Sequence, residues 1–147
     1  MSVRTITLTV NGETSTLEVP VGMTLHQLLS EGLHHHEVKS GCYIGECGLC
    51  TIILNGRPVN SCLVFAAEAD GAVIETGTRE TPEAGRLSDL QQAFVDFGAV
   101  QCGFCTPGML ASARALLQRH PRPTREQIVE ALAGNYCRCT GYVKPVE

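Results

Sequence analysis

Eight cysteines in two well-separated groups of four constrain this chain more than any other feature of its sequence. Cys42, Cys47 and Cys50 share one glycine-rich loop, and Cys62 follows from the next hairpin. Cys102 and Cys105 form a Cys-x2-Cys pair, with Cys137 and Cys139 a remote Cys-x-Cys pair. The first ten residues alternate polar and apolar side chains. They lack the apolar run of a secretory signal and the twin arginines of a folded-export signal. A cytoplasmic location is expected, unless a partner subunit carries an address for the whole assembly, and there thiols stay reduced. Metal binding, not disulfide formation, is then the default reading of the cysteines.

Two groups of ligands suggest two small domains within 147 residues. Aromatic residues are only 5% of the chain and Trp is absent, so each half has a thin core. A bound inorganic centre would help to hold it. A net charge of −4, with no Lys/Arg run, gives no sign of a nucleic-acid partner. No run of 18 apolar residues is present, so no membrane span is expected.

The hydrophobic period changes along the chain. Ile6, Leu8 and Val10 alternate with threonines, Asn11–Gly12 reads as a tight turn, and Leu17 and Val19 continue in a returning strand. Thr24 and Gln27 form a capping box ahead of a helix carrying Leu25, Leu28 and Leu29, with Gly32 placed to end it. Strands are expected over 51–54, 59–64 and 72–76, the first two joined at Asn55–Gly56. Beyond a polar linker at 78–86 the pattern becomes helical. One helix opens at Ser88 and carries Leu87, Leu90, Phe94 and Phe97. A second is capped by Thr106 ahead of Pro107 and buries Met109, Leu110, Ala113, Leu116 and Leu117. A third opens at Thr124, and a short fourth starts within 137–141. The fold class is therefore α+β: a mostly β domain over 1–77, the linker, and an all-α domain over 87–147.

The first cysteine group has the spacing of a plant-type ferredoxin [2Fe–2S] site. Four thiolates must converge on two irons and leave room for two sulfides. Gly41, Gly45 and Gly48 let a short loop curl tightly enough and aim N–H groups at the sulfurs. A zinc site is the rival, but zinc knuckles usually pair two short two-cysteine arms. The second group says only that four thiolates can meet at helix ends, and zinc is a stronger rival there. A thioredoxin-like use of Cys102 and Cys105 lacks its βαβ context.

Four segments carry a resemblance over nearly the whole chain: Gly41-Cys-Tyr-Ile-Gly-Glu-Cys-Gly-Leu-Cys50, Asn60-Ser-Cys62, Gln101-Cys-Gly-Phe-Cys-Thr-Pro-Gly-Met109 and Asn135-Tyr-Cys-Arg-Cys-Thr-Gly-Tyr142. Together they resemble the small iron–sulfur subunit of the molybdenum hydroxylases, the xanthine dehydrogenase/carbon monoxide dehydrogenase family. The resemblance implies a β-grasp, ferredoxin-like first domain and a four-helix second domain, each with one [2Fe–2S] cluster. It implies electron transfer from a molybdopterin cofactor on a large subunit to the second cluster, then to the first, which lies nearer the surface, then to FAD on a medium subunit. A dimer of such heterotrimers is the implied assembly. Carried over by motif, Cys42, Cys47, Cys50 and Cys62 hold the first cluster, and Cys102, Cys105, Cys137 and Cys139 the second. Gln101 hydrogen-bonds the pterin, and Cys139 both ligates iron and touches it. Leu49 stands where alanine is common, and Ser88–Asp89 where His-Pro is frequent.

Other residues invite roles and read more simply. His34, His35 and His36 fit a solvated turn better than a metal tract, because three adjacent side chains do not face one ion. Asp89, Asp96, Glu126 and Glu130 read as solvated helix faces. Phe104 and Tyr136 would keep water from a cluster. Two alternatives stay open: a free ferredoxin-type carrier, and a zinc-binding interaction module.

Overall fold

The computed structural model describes residues 2–78 and 85–147, so most of the expected linker lies outside the described residues. Strands β1 (Val3–Val10) and β2 (Glu13–Pro20) pair antiparallel from Val3 opposite Pro20 to Val10 opposite Glu13. Ile6, Leu8 and Val10 point into the core. On the other face, hydroxyl pairs Thr7–Thr16 and Thr9–Thr14 meet across the strands at 2.8 and 2.9 Å. Asn11 and Gly12 both take positive φ, as a two-residue hairpin turn requires.

Helix α1 (Leu25–Gln27) starts where its capping box predicts. Thr24 Oγ1 accepts from the Gln27 N–H at 3.2 Å, and Gln27 Oε1 accepts from the Thr24 N–H at 3.0 Å. It then widens into a π-turn over Leu28–Gly32, closed by Leu33 N–H donating to the Leu28 carbonyl at 2.8 Å. The wider turn keeps Leu25, Leu28 and Leu29 on one buried face.

Strands β3 (Thr51–Leu54) and β4 (Arg57–Asn60) form the second hairpin. Strand β5 (Val73–Glu75) runs parallel to β1 and antiparallel to β3, giving the order β2-β1-β5-β3-β4. The return strand expected over 59–64 is displaced. It ends at Asn60, and Ser61–Leu63 form a 3-10 turn. The Ser61 N–H and hydroxyl both bond the Cys50 carbonyl, at 3.2 and 2.8 Å, which ends the ladder there. A turn, not a strand, therefore presents Cys62.

The second half holds α2 (Asp89–Asp96), α3 (Thr106–Arg119), α4 (Arg125–Leu132) and α5 (Val143–Val146). Capping boxes at Ser88/Gln91 and Thr124/Gln127 open α2 and α4. Three expectations change. Cys105, not Thr106, is the N-cap of α3, with helical backbone and no side-chain cap bond. The fourth helix begins at Val143, because residues 137–142 are turns ending in Tyr142 at a φ of +64°. Leu87, Phe97 and Leu117 are exposed.

Leu117 lies near the end of α3, two residues before Arg119, while the helix itself is buried on two sides. Met109 and Leu110 face the helical core. Ala111 and Ala115 pack on Ile53 of β3, whereas its neighbour Ile52 faces the α1 side. The sheet thus lies between α1 and α3, and the halves share a close seam. A Cβ on Gly77 would strike the Pro107 carbonyl, one on Gly48 the Gly134 carbonyl, and one on Gly108 would lie 2.6 Å from the Gly48 oxygen. Buried Arg114 crosses the seam, donating from Nη1 to the Thr76 carbonyl at 2.9 Å and from Nη2 to that of Gly77 at 3.3 Å.

Candidate metal centres

The first cysteine loop leaves α1 through an irregular segment and feeds β3. Its curl needs positive φ at Tyr43, Gly45 and Gly48. The turn aims backbone donors inward: the Ile44 and Cys47 N–H groups donate to Cys42 Sγ at 3.5 and 3.4 Å. They pull the Cys42 thiol down to about 7, Cys47 contributing most. Asn60 ties the loop to β4, its Nδ2 donating to the Gly45 carbonyl at 2.8 Å. Burial, followed by the Cys50 thiol beside it, pushes Cys62 up to about 11. Cys47, Cys50 and Cys62 are buried and Cys42 is half-buried. Gly41 differs from the other two glycines: it keeps ordinary φ, and a Cβ there would meet only the movable Leu49 Cδ1 methyl within 3 Å, at 2.9 Å, so the curl does not depend on it.

The second group forms where the start of α3 meets the turns after α4. Cys102 and Cys139 are exposed with their Sγ atoms 3.6 Å apart. Buried Cys105 pairs with half-buried Cys137. Burial, then the hydrogen bond with Cys137, pushes Cys105 up to about 12. Burial also acts upward on Cys137, but the Thr140 hydroxyl and the backbone donors of Thr140 and Cys139 outweigh it and leave that thiol near 7. The Phe104 backbone donor lowers Cys102, and its bond to Cys102 raises Cys139. Tyr142 supports the site from outside, its hydroxyl accepting from the Cys137 N–H at 2.9 Å.

The thiols therefore meet as four pairs: Cys42 with Cys47, Cys50 with Cys62, Cys102 with Cys139, and Cys105 with Cys137. Among the described residues no three His, Cys, Asp or Glu side chains are arranged to hold one ion. Two thiols for each of two metals is the donor pattern of a dinuclear cluster, whereas structural zinc needs four donors around one point. The residues fit [2Fe–2S] clusters.

Gln101 is exposed and donates from Nε2 to the Cys139 carbonyl at 3.1 Å, so its amide is fixed beside the open thiol pair. Phe104 and Tyr136 line the second site beside its cysteines and are themselves 48% and 54% exposed. Lys39 of the first half lies 4.8 Å above the Phe104 ring. Leu49, from the first loop, lines the second site beside Cys105 and Cys137. The histidine run is a turn, with His34 at positive φ and His35 Nδ1 3.1 Å from Glu37 Oε1. Asp89, Asp96, Glu126 and Glu130 are exposed. Sequence reasoning missed His26. Its ring is buried edge-on to Tyr43 at 5.5 Å, and no local pattern marks that contact.

Comparison with known proteins agrees with this geometry. Residues 8–88 match the 2Fe-2S iron-sulfur cluster binding domain, and residues 75–147 match the [2Fe-2S] binding domain. The chain is 49% identical over 140 residues to the nicotinate dehydrogenase small FeS subunit of Eubacterium barkeri, covering 95% of this chain and 88% of that one. It is 47% identical over 142 residues to the xanthine dehydrogenase iron-sulfur-binding subunit of Escherichia coli O157:H7, covering 94% and 87%. The crystal structure of quinoline 2-oxidoreductase from Pseudomonas putida 86 contains a chain that superposes with a TM-score of 0.93 at 41% identity, covering 98% of this chain and 88% of that one. With both cluster-binding domains matched and relatives aligned over nearly their full length, the chain belongs to the small [2Fe–2S] subunits of the molybdenum hydroxylase family.

Proposed function

We propose that the chain carries electrons within a cytoplasmic molybdenum hydroxylase, from a molybdopterin-binding large subunit to an FAD-binding medium subunit, in a dimer of heterotrimers. Cys42, Cys47, Cys50 and Cys62 are the ligands of the first cluster, and Cys102, Cys105, Cys137 and Cys139 those of the second. Bound there, the clusters supply one-electron steps between a two-electron oxidation and the flavin.

The observation that carries this reading is the exposed pair Cys102 and Cys139 with half-exposed Phe104 and Tyr136 around it. An aromatic rim on an otherwise open redox site calls for a covering surface. The large subunit takes that place, and Gln101, already oriented by Cys139, meets the pterin. The first group is more enclosed in this chain, and exposed Tyr43, Ile44 and Leu63 mark the side for the flavin subunit. Between the groups, the Tyr136 N–H donates to the Cys47 carbonyl at 2.8 Å. That bond joins the residue preceding one ligand directly to another ligand, and gives a connected route between the sites.

Iron, acid-labile sulfide and zinc content of anaerobically purified protein, with EPR after reduction, tests the proposal. About four irons and four sulfides with two rhombic signals are expected. Zinc without sulfide would overturn it.

A further inference from the structure

The two cysteine loops lie far apart in sequence, yet one side chain is bonded to the surroundings of both. Asn135 precedes Cys137 by two residues and is 2% exposed. Its Nδ2 donates to the Gly48 carbonyl at 2.9 Å and to Thr51 Oγ1 at 3.2 Å, and its Oδ1 accepts from Ser112 Oγ at 2.6 Å. Gly48 lies inside the first loop, between Cys47 and Cys50. Thr51 is the first residue of β3 and itself donates to the Gly48 carbonyl at 2.7 Å. Ser112 is on α3, the helix that starts from Cys105. The carboxamide thus connects four pieces of backbone: the first loop, the strand after it, the helix after Cys105 and the segment before Cys137.

We infer that Asn135 is a positioning residue that sets the spacing and relative orientation of the two clusters. The inference rests on the proposed occupancy of both cysteine groups. A carboxamide presents donors and an acceptor in one plane, and here both ends are used. A buried network of this kind holds one arrangement because any slip leaves polar atoms unpaired. The neighbouring backbone adds no slack: Gly48 and Gly108 already touch without room for a Cβ, and Tyr136 is bonded to Cys47. Mere stabilisation of the fold would need fewer ties to the ligand-bearing segments. The pattern of partners points to alignment of the two sites.

The test uses the full holo chain with three variants: Asn135→Leu, the milder Ser112→Ala, and Thr124→Ala as a control that weakens α4 away from both sites. The readouts are iron content, the magnetic interaction between the two reduced clusters in low-temperature EPR, and both reduction potentials. Asn135→Leu is expected to keep both clusters, alter the interaction and shift both potentials. Ser112→Ala shifts them in the same direction by less, and decides the matter if Asn135→Leu fails to fold. Thr124→Ala lowers the melting temperature and leaves interaction and potentials as in the unaltered chain. If the Asn135 and Ser112 variants behave like Thr124→Ala, Asn135 is a structural residue and the inference is overturned. A shift confined to one cluster overturns it too. An unaltered chain with fewer than two signals overturns the underlying reading of function instead, which separates the two failures.

Discussion

At the scale of single residues, the two cysteine groups differ in how the chain guards them. Cys139 is exposed, is 3.6 Å from Cys102, and has Gln101 bonded to its carbonyl. Cys139→Ser is expected to remove the second EPR signal and about two of the irons while the first signal persists. Loss of both signals would sink the separation into two sites. His26 offers a different check. Burial lowers its pKa from the ordinary 6.5, against smaller upward effects from Glu31 and the Val38 backbone, and its Nδ1 has no partner among the described residues. Below about pH 6.5 the unfolded chain takes a proton that the folded chain refuses, so stability falls as pH drops. His26→Phe should narrow the gap between melting temperatures at pH 7.5 and 5.5, and an unchanged gap would exclude His26 as the source. Sequence alone located all eight cysteines but not His26, Asn135 or the strained Tyr43 and Tyr142. The first are read from spacing; His26, Tyr43 and Asn135 meet partners remote in sequence, and Tyr142 reaches the nearby Cys137 N–H through a positive φ that its residue type does not announce. Asn135 and Gly48 are 87 positions apart.

Among the elements, those set by local chemistry were the readable ones. Three capping boxes place the starts of α1, α2 and α4 where Thr24, Ser88 and Thr124 predict, because each box is closed within four residues. The π-turn after Gln27 was not readable, since an extra residue in one turn leaves the leucine face unchanged. Nor was the early end of β4, which the Ser61–Cys50 bonds decide. Helix α3 was misread for a similar reason: its 3.6-residue pattern predicts one buried stripe, and packing against both β3 and the helical core buries Ala111, Ser112 and Ala115 as well. Gly108→Ala in its first turn measures how tight that packing is. Alanine gains at most about 1 kcal/mol of helix propensity. The Cβ would meet the rigid Gly48 backbone, and overpacking of that kind costs about 1–3 kcal/mol. Net destabilisation is expected, read as a lower denaturation midpoint; a gain in stability would show that the seam yields.

For the whole molecule, unequal exposure has a kinetic consequence. An iron chelator should strip the isolated chain in two phases, with the second cluster lost first because Cys102 and Cys139 are open while Cys47, Cys50 and Cys62 are buried. Binding to a large-subunit partner should slow that first phase and leave the other unchanged. Equal rates, or protection of the first cluster alone, would reverse the proposed arrangement of partners. The sequence divides cleanly by period into a β half and an α half, yet the side chains of Arg114 and Asn135 reach carbonyls of the other half and the facing glycines abut its main chain. Such contacts need one side chain of fixed length and shape, or none at all. A hybrid built by splicing the first half of one relative to the second half of another would inherit two sound cores and a mismatched joint. The two halves can therefore change their outward surfaces to suit new partners, but they are inherited together.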